Sequence, residues 1–117
     1  MPFSRTSFSK GMDAEHRAKA FLEKKGYRCA AHRYKTRDGE IDLIVEKDGI
    51  LVFVEVKSRA SFREGLFSLF PRQCRRILNA AHCFLQTQET SWQAMRFDLV
   101  IVKTSSEIMH LENIITL

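Results

Sequence analysis

The hydrophobic positions along the chain change period several times, and each change marks an element. Ala14, Ala18, Phe21 and Leu22 recur at helical spacing and Gly26 follows them, which predicts an amphipathic helix from about Lys10 to Lys25 stopped by the glycine. Tyr27 to Tyr34 reads as a first strand. Residues 40–46 and 50–57 then alternate, and the Lys47-Asp48-Gly49 link predicts a type I′ hairpin, because Asp and Gly both tolerate positive φ. Ile77, Leu78, Ala80, Ala81, Phe84 and Leu85 make the stripe of a second helix, opened by Pro71, with Arg72, Arg75, Arg76 and Asn79 on its other side. Residues 96–103 and 108–115 read as two further strands. The order αβββαββ predicts an α/β protein with a mixed central sheet of about five strands flanked by helices. Residues 1–10 are polar, basic and aperiodic and read as a flexible N-terminal tail; residues 11–117 read as a single domain.

The hairpin pattern fixes a register. With Asp48-Gly49 as a two-residue loop, Val45 faces Val52, Leu43 faces Val54 and Ile41 faces Val56, all on one side, and a slip of one residue would scramble that face. On the other side Asp42 falls opposite Glu55, and Glu40 opposite Lys57. Like charges directly across a strand pair are destabilising. A shared proton, a neighbouring cation or a bound metal ion would each offset them. Lys57 shares their face and supplies a cation. Ile44, Leu51 and Phe53 lie on that face too, so it is covered, and charges on a covered face need a partner or a purpose. A hard divalent ion on such oxygens stabilises the charge of phosphoryl transfer, and a lysine beside it can position or deprotonate the attacking water.

Charge adds a direction to this picture. The net charge is +5, yet residues 1–37 hold ten Lys/Arg against three Asp/Glu, so the excess lies at the N-terminal side. A basic half beside an acidic cluster suits attraction of a polyanion. Three cysteines (Cys29, Cys74, Cys83) without close pairing argue for reduced thiols, and the absence of any Cys-x₂₋₄-Cys pair, with four scattered histidines, argues against zinc. No apolar stretch approaches the ~20 residues of a membrane span, and the first residues lack the apolar region of a signal peptide, so the expected location is cytoplasmic with no membrane partner.

Gly11-x-x-Ala14-Glu15-x-x-Ala18, Gly39-Glu40-Ile41-Asp42-Leu43-Ile44, Val52-Phe53-Val54-Glu55-Val56-Lys57-x-Arg59 and Arg96-Phe97-Asp98 together resemble the YraN-like family. The resemblance runs from about residue 11 to the C-terminus. That family is grouped with predicted endonucleases of the PD-(D/E)xK superfamily and resembles archaeal Holliday junction resolvases. It implies a restriction-endonuclease-like core and a Mg²⁺- or Mn²⁺-dependent endonuclease acting on structured or branched DNA, in preference to RNA. The alternative is a non-catalytic nucleic-acid-binding module on the same fold. By resemblance, Asp42 is the metal-binding aspartate and Glu55 and Lys57 are the E-x-K pair. Glu15 completes the metal site from the first helix, the Val56 carbonyl is a further ligand, and Glu40 orients Lys57. Junction resolution would call for a homodimer. The chain departs from the family at Arg33, where relatives carry Asn, and at Gln73, where they carry Lys; Arg72 beside it is a substitute phosphate contact.

Lys35, Arg37, Arg59, Arg72, Arg75 and Arg76 are candidates for a phosphate-contacting rim, with a solvated helix face as the plain alternative. The aromatic stretch from Phe62 to Phe70 reads as core packing rather than a dimer contact or a lid. Arg96 and Asp98 read as structural.

Overall fold

A computed structural model describes residues 7–115, with side chains from Gly11 onward. The elements are α1 (Ser7–Lys24), β1 (Arg28–Lys35), β2 (Glu40–Lys47), β3 (Ile50–Arg59), α2 (Phe62–Leu66), α3 (Pro71–Gln86), β4 (Ala94–Lys103) and β5 (Ile108–Leu111). One sheet runs in the order β1-β2-β3-β4-β5. Only the β3–β4 pair is parallel, because α2 and α3 form the crossover between those strands. Two apolar layers result. The α1 layer holds Ala14, Ala18, Leu22, Leu43, Val45, Val52, Val54 and Val100. The α3 layer holds Ile41, Ile44, Phe53, Ile77, Ala80, Phe84 and Phe97.

The terminators act as their residue types demand. Gly26 adopts φ +96 and Tyr27 N–H returns to the Leu22 carbonyl at 3.1 Å, closing α1. Asp48 and Gly49 take φ 52 and 79, the paired positive values of a type I′ turn. Gly39 is required by close approach: a Cβ there would stand 1.8 Å from the Arg76 carbonyl oxygen of α3. No helix among the described residues is long and apolar enough to cross a membrane.

Three details depart from the sequence reading. Helix α1 begins at Ser7, inside the stretch read as a tail; residues 1–6 of that stretch lie outside the described residues. The segment 62–70 contains the one-turn helix α2, capped by the Ser61 hydroxyl accepting the Glu64 N–H at 3.1 Å. Most consequential is the hairpin. Its predicted register holds for Leu43↔Val54, Ile44↔Phe53 and Val45↔Val52, and β2–β3 pairing ends at Leu43↔Val54. Ile41 lies in the α3 layer, opposite to Leu43, so β2 changes face at Asp42. Strand β1 does the same at Arg33, whose φ is +54: His32 reaches Glu15 of α1, whereas Tyr34 stacks edge-on against Phe84 of α3.

Candidate metal centre

Where β2 and β3 part, Asp42 occupies the fork. Its Oδ2 accepts the Val56 N–H at 2.8 Å, in place of a strand-to-strand backbone bond. This differs from a flat opposed pair, yet it leaves Asp42 close enough to Glu55 to raise its carboxyl. Glu55 is 8% exposed and takes the Lys57 ammonium at 3.3 Å and the Gln73 amide at 3.1 Å, both on Oε1. Alternation along β3 places Glu55 and Lys57 on one side, as the E-x-K spacing predicts.

The protein leaves this pair electrostatically short of compensation. Burial pushes the Asp42 carboxyl up to about 6 against the relief of the Val56 N–H, and nearby Glu15 adds to the rise. Burial pushes Glu55 up to about 8, Asp42 raises it further, and Lys57 alone does not restore it. A buried acid and a half-buried one thus share one ammonium. Together with the Val56 carbonyl they are the oxygens here that could hold a divalent cation, which prefers hard oxygen donors.

Glu15 belongs to an adjoining arrangement. It is 6% exposed on α1 and is held by His32 Nε2 on Oε1 and Arg33 Nη1 on Oε2, both at 3.2 Å. Burial raises its carboxyl and Arg33 counters that rise. Among the described residues, no three acids or other ligating side chains gather around a single point as they stand. Asp42 lies between the two arrangements, feeling Glu15 from one layer and Glu55 from the other. Arg33, with His32, thus engages Glu15, and Gln73, with Lys57, engages Glu55.

The remaining predicted positions divide. Glu40 is exposed and pairs its backbone with Lys35, and the ion partner of Lys57 is Glu55 rather than Glu40. Glu40 nonetheless adds negative potential at both Asp42 and Glu15. Lys35, Arg37, Arg72, Arg75 and Arg76 are exposed, and Arg59 is half-buried with its guanidinium on the Ser58 carbonyl at 2.8 Å. His32 and Gln73 are the contacts that the sequence reading did not assign to the acids. The position of Gln73, in the first turn of α3, is the signal that could have found it.

Comparison with known proteins places these residues in a family context. The model of the "Uncharacterised protein family UPF0102" matches residues 14–102. A UPF0102 protein of Bradyrhizobium sp. (strain ORS 278) is 43% identical over 106 residues, covering 90% of this chain and 75% of that protein. Two UPF0102 proteins of Rhodopseudomonas palustris are 39% and 41% identical, each across 90% of this chain and 82% of their own length.

Proposed function

The chain belongs to the UPF0102 (YraN) family, and from that premise we propose that it is a Mg²⁺- or Mn²⁺-dependent endonuclease that hydrolyses phosphodiester bonds of structured or branched DNA. The observation that carries this reading is the Asp42–Glu55 pair, two acids beside the single ammonium of Lys57, which lies 3.3 Å from Glu55 Oε1. Asp42, Glu55 and the Val56 carbonyl would hold the cation, with Glu15 joining from α1 once released by His32 and Arg33. The cation would supply positive charge to the developing transition state. Lys57 Nζ stands beside Glu55, where it orients the attacking water and donates to a non-bridging phosphate oxygen. The surrounding arginines of α3 bind the flanking phosphates, which fixes the strand over the carboxylates. Gln73 holds Glu55 Oε1 and so sets the direction of its free oxygen.

A second reading, a nucleic-acid-binding module that does not cut, draws support from the engagement of Glu15 by His32 and Arg33. One experiment separates them. The protein is incubated with Mn²⁺ and linear, flapped and four-way DNAs. Asp42→Ala and Glu55→Ala should abolish cleavage while retaining DNA binding in EDTA. Absence of cleavage on every substrate, with binding intact, selects the second reading.

A further inference from the structure

Two phenylalanine rings stand exposed on the surface before α3. Phe67 and Phe70 are 70% and 64% exposed, on the link between α2 and α3. The link is firmly built. Gly65 lies so close to Ile101 that a Cβ would come within 2.6 Å of its side chain. The buried Ser68 hydroxyl donates to the Gly65 carbonyl at 2.6 Å. Phe67 N–H bonds to the Arg63 carbonyl at 3.2 Å, and the Phe70 carbonyl accepts from Gln73 and Cys74 N–H in the first turn of α3. A segment tied at so many points holds its rings outward instead of letting them fold onto the core, and contiguous exposed apolar surface marks an interaction site.

The surroundings identify the partner's chemistry. Residues 59–76 carry five arginines against the single acid Glu64. The Arg63 guanidinium lies 5.9 Å from the centre of the Phe67 ring. Phe70, Arg72, Gln73 and Arg76 line a hollow of about 420 Å³, and Gln73 there donates to Glu55, so the hollow adjoins the candidate metal centre. Aromatic faces interleaved with guanidinium groups bind single-stranded nucleic acid, the rings stacking on bases and the cations taking phosphates. A duplex keeps its bases stacked on one another and offers no free face to Phe67 or Phe70. Self-association through this surface would oppose two strongly cationic patches.

Resting on the nuclease reading for its place but not for its chemistry, we propose that Phe67 and Phe70 form a stacking platform for unpaired bases, with Arg72 and Arg76 on the adjoining phosphates. The preferred substrate is then DNA with splayed or single-stranded nucleotides next to the scissile bond.

Binding is measured by fluorescence anisotropy in EDTA, where no cleavage intervenes, using a labelled oligo-dT of about 15 nucleotides, comparable to one binding site, and a duplex of equal length. The Phe67→Ala/Phe70→Ala protein should lose about ten-fold or more in single-strand affinity, as expected for lost base stacking. Its duplex affinity should stay nearly constant, and Phe67→Tyr/Phe70→Tyr should restore the single-strand value. Equal losses on both DNAs, no loss, or failure of the tyrosine protein to restore binding overturns the platform. So does a wild-type dimer in sedimentation that the alanine changes dissolve, or tighter ring-dependent binding to anionic phospholipid vesicles than to oligo-dT. If the platform binds as expected and no DNA is cut with Mn²⁺, the nuclease reading fails alone. If DNA is cut and the alanine protein binds normally, the platform fails alone.

Discussion

The protein buries carboxylates in two regions and treats them in opposite ways. Asp98, on β4, is 1% exposed and fully answered. It accepts Arg96 Nε and Nη2 at 2.9 Å, His110 Nε2 at 2.7 Å and the Asn113 N–H at 3.0 Å, while Arg96 is itself fixed by the Tyr27 hydroxyl at 2.6 Å. Burial alone would raise its carboxyl, but the bonds from His110, Arg96 and Asn113 together hold it below the ordinary carboxylate range. Glu55 is nearly as deeply set at 8% exposure and Asp42 beside it is half-buried, yet they share Lys57, and both are pushed up. The first network is complete within the chain and ties β4, β5 and the end of α1 together. The second leaves both acids raised, with Lys57 as its counter-charge. Buried acidity is therefore not one property: a satisfied acid is part of the fold, and an unsatisfied pair is where, on the proposed reading, a cation would bind.

That contrast can be broken by substitution. The largest expected effect is at Asp98, where Asp98→Asn should destabilise by about 3–5 kcal/mol in denaturant unfolding, since it strands the buried Arg96–His110 side of the network. Glu55→Gln, without metal, should be neutral or slightly stabilising, because it removes repulsion from Asp42. A loss at Glu55 as large as that at Asp98 would end the distinction.

Metal addition comes next in size. At pH 8, Mn²⁺ at a hundred times its dissociation constant should stabilise the wild type by about 2.7 kcal/mol. The gain should disappear in Glu55→Gln and leave Asp98-dependent stability untouched. An undiminished gain in Glu55→Gln would put the cation elsewhere.

The pH dependences should run in opposite directions. Asp98, held low, contributes stability present above the ordinary carboxylate range and lost as pH falls through its folded value. Glu55, raised from 4.5 to about 8, keeps in the folded state a proton that the unfolded chain releases. Its burial costs nothing at low pH, and the cost grows as pH rises from its ordinary value to about 8. Metal-free thermal melts should therefore show wild type falling progressively behind Glu55→Gln across that interval. Parallel curves would contradict the raised value.

The smallest effect concerns support of the fork. Gly39→Ala should cost about 1–3 kcal/mol by forcing a methyl group against the Arg76 carbonyl. Metal affinity should fall with it if α3 holds Gln73 in place on Glu55; retained affinity would separate the two.

Much of this architecture was legible in the residues. The alternation around Asp48-Gly49 fixed the paired part of the hairpin, and Pro71 marked the start of α3. The E-x-K spacing put Glu55 and Lys57 on one side. What stayed hidden was non-local or broke a period. The change of face at Arg33 and Asp42 uses a left-handed non-glycine residue, which no apolar pattern announces, so Ile41 was assigned to Leu43's layer and Glu40 to Lys57. Helix α2 did leave a trace in Ser61-x-x-Glu64, a capping pattern, but its position depends on Gly65 meeting Ile101. The structural reading of Arg96 and Asp98 holds, but their partners His110, Asn113 and Tyr27 are distant in sequence, so no local pattern names them.

The irregular outer strand β1 also shapes how molecules meet. Its pairing with β2 shifts between Cys29 and Ala31, and Arg33 twists its backbone out of the extended form. An edge so interrupted offers no continuous row of donors and acceptors to a neighbouring chain. The opposite edge, β5, is only four residues long. Crowded molecules of this protein are thus guarded against joining sheet to sheet, and an edge-to-edge filament has no straight rail on which to grow.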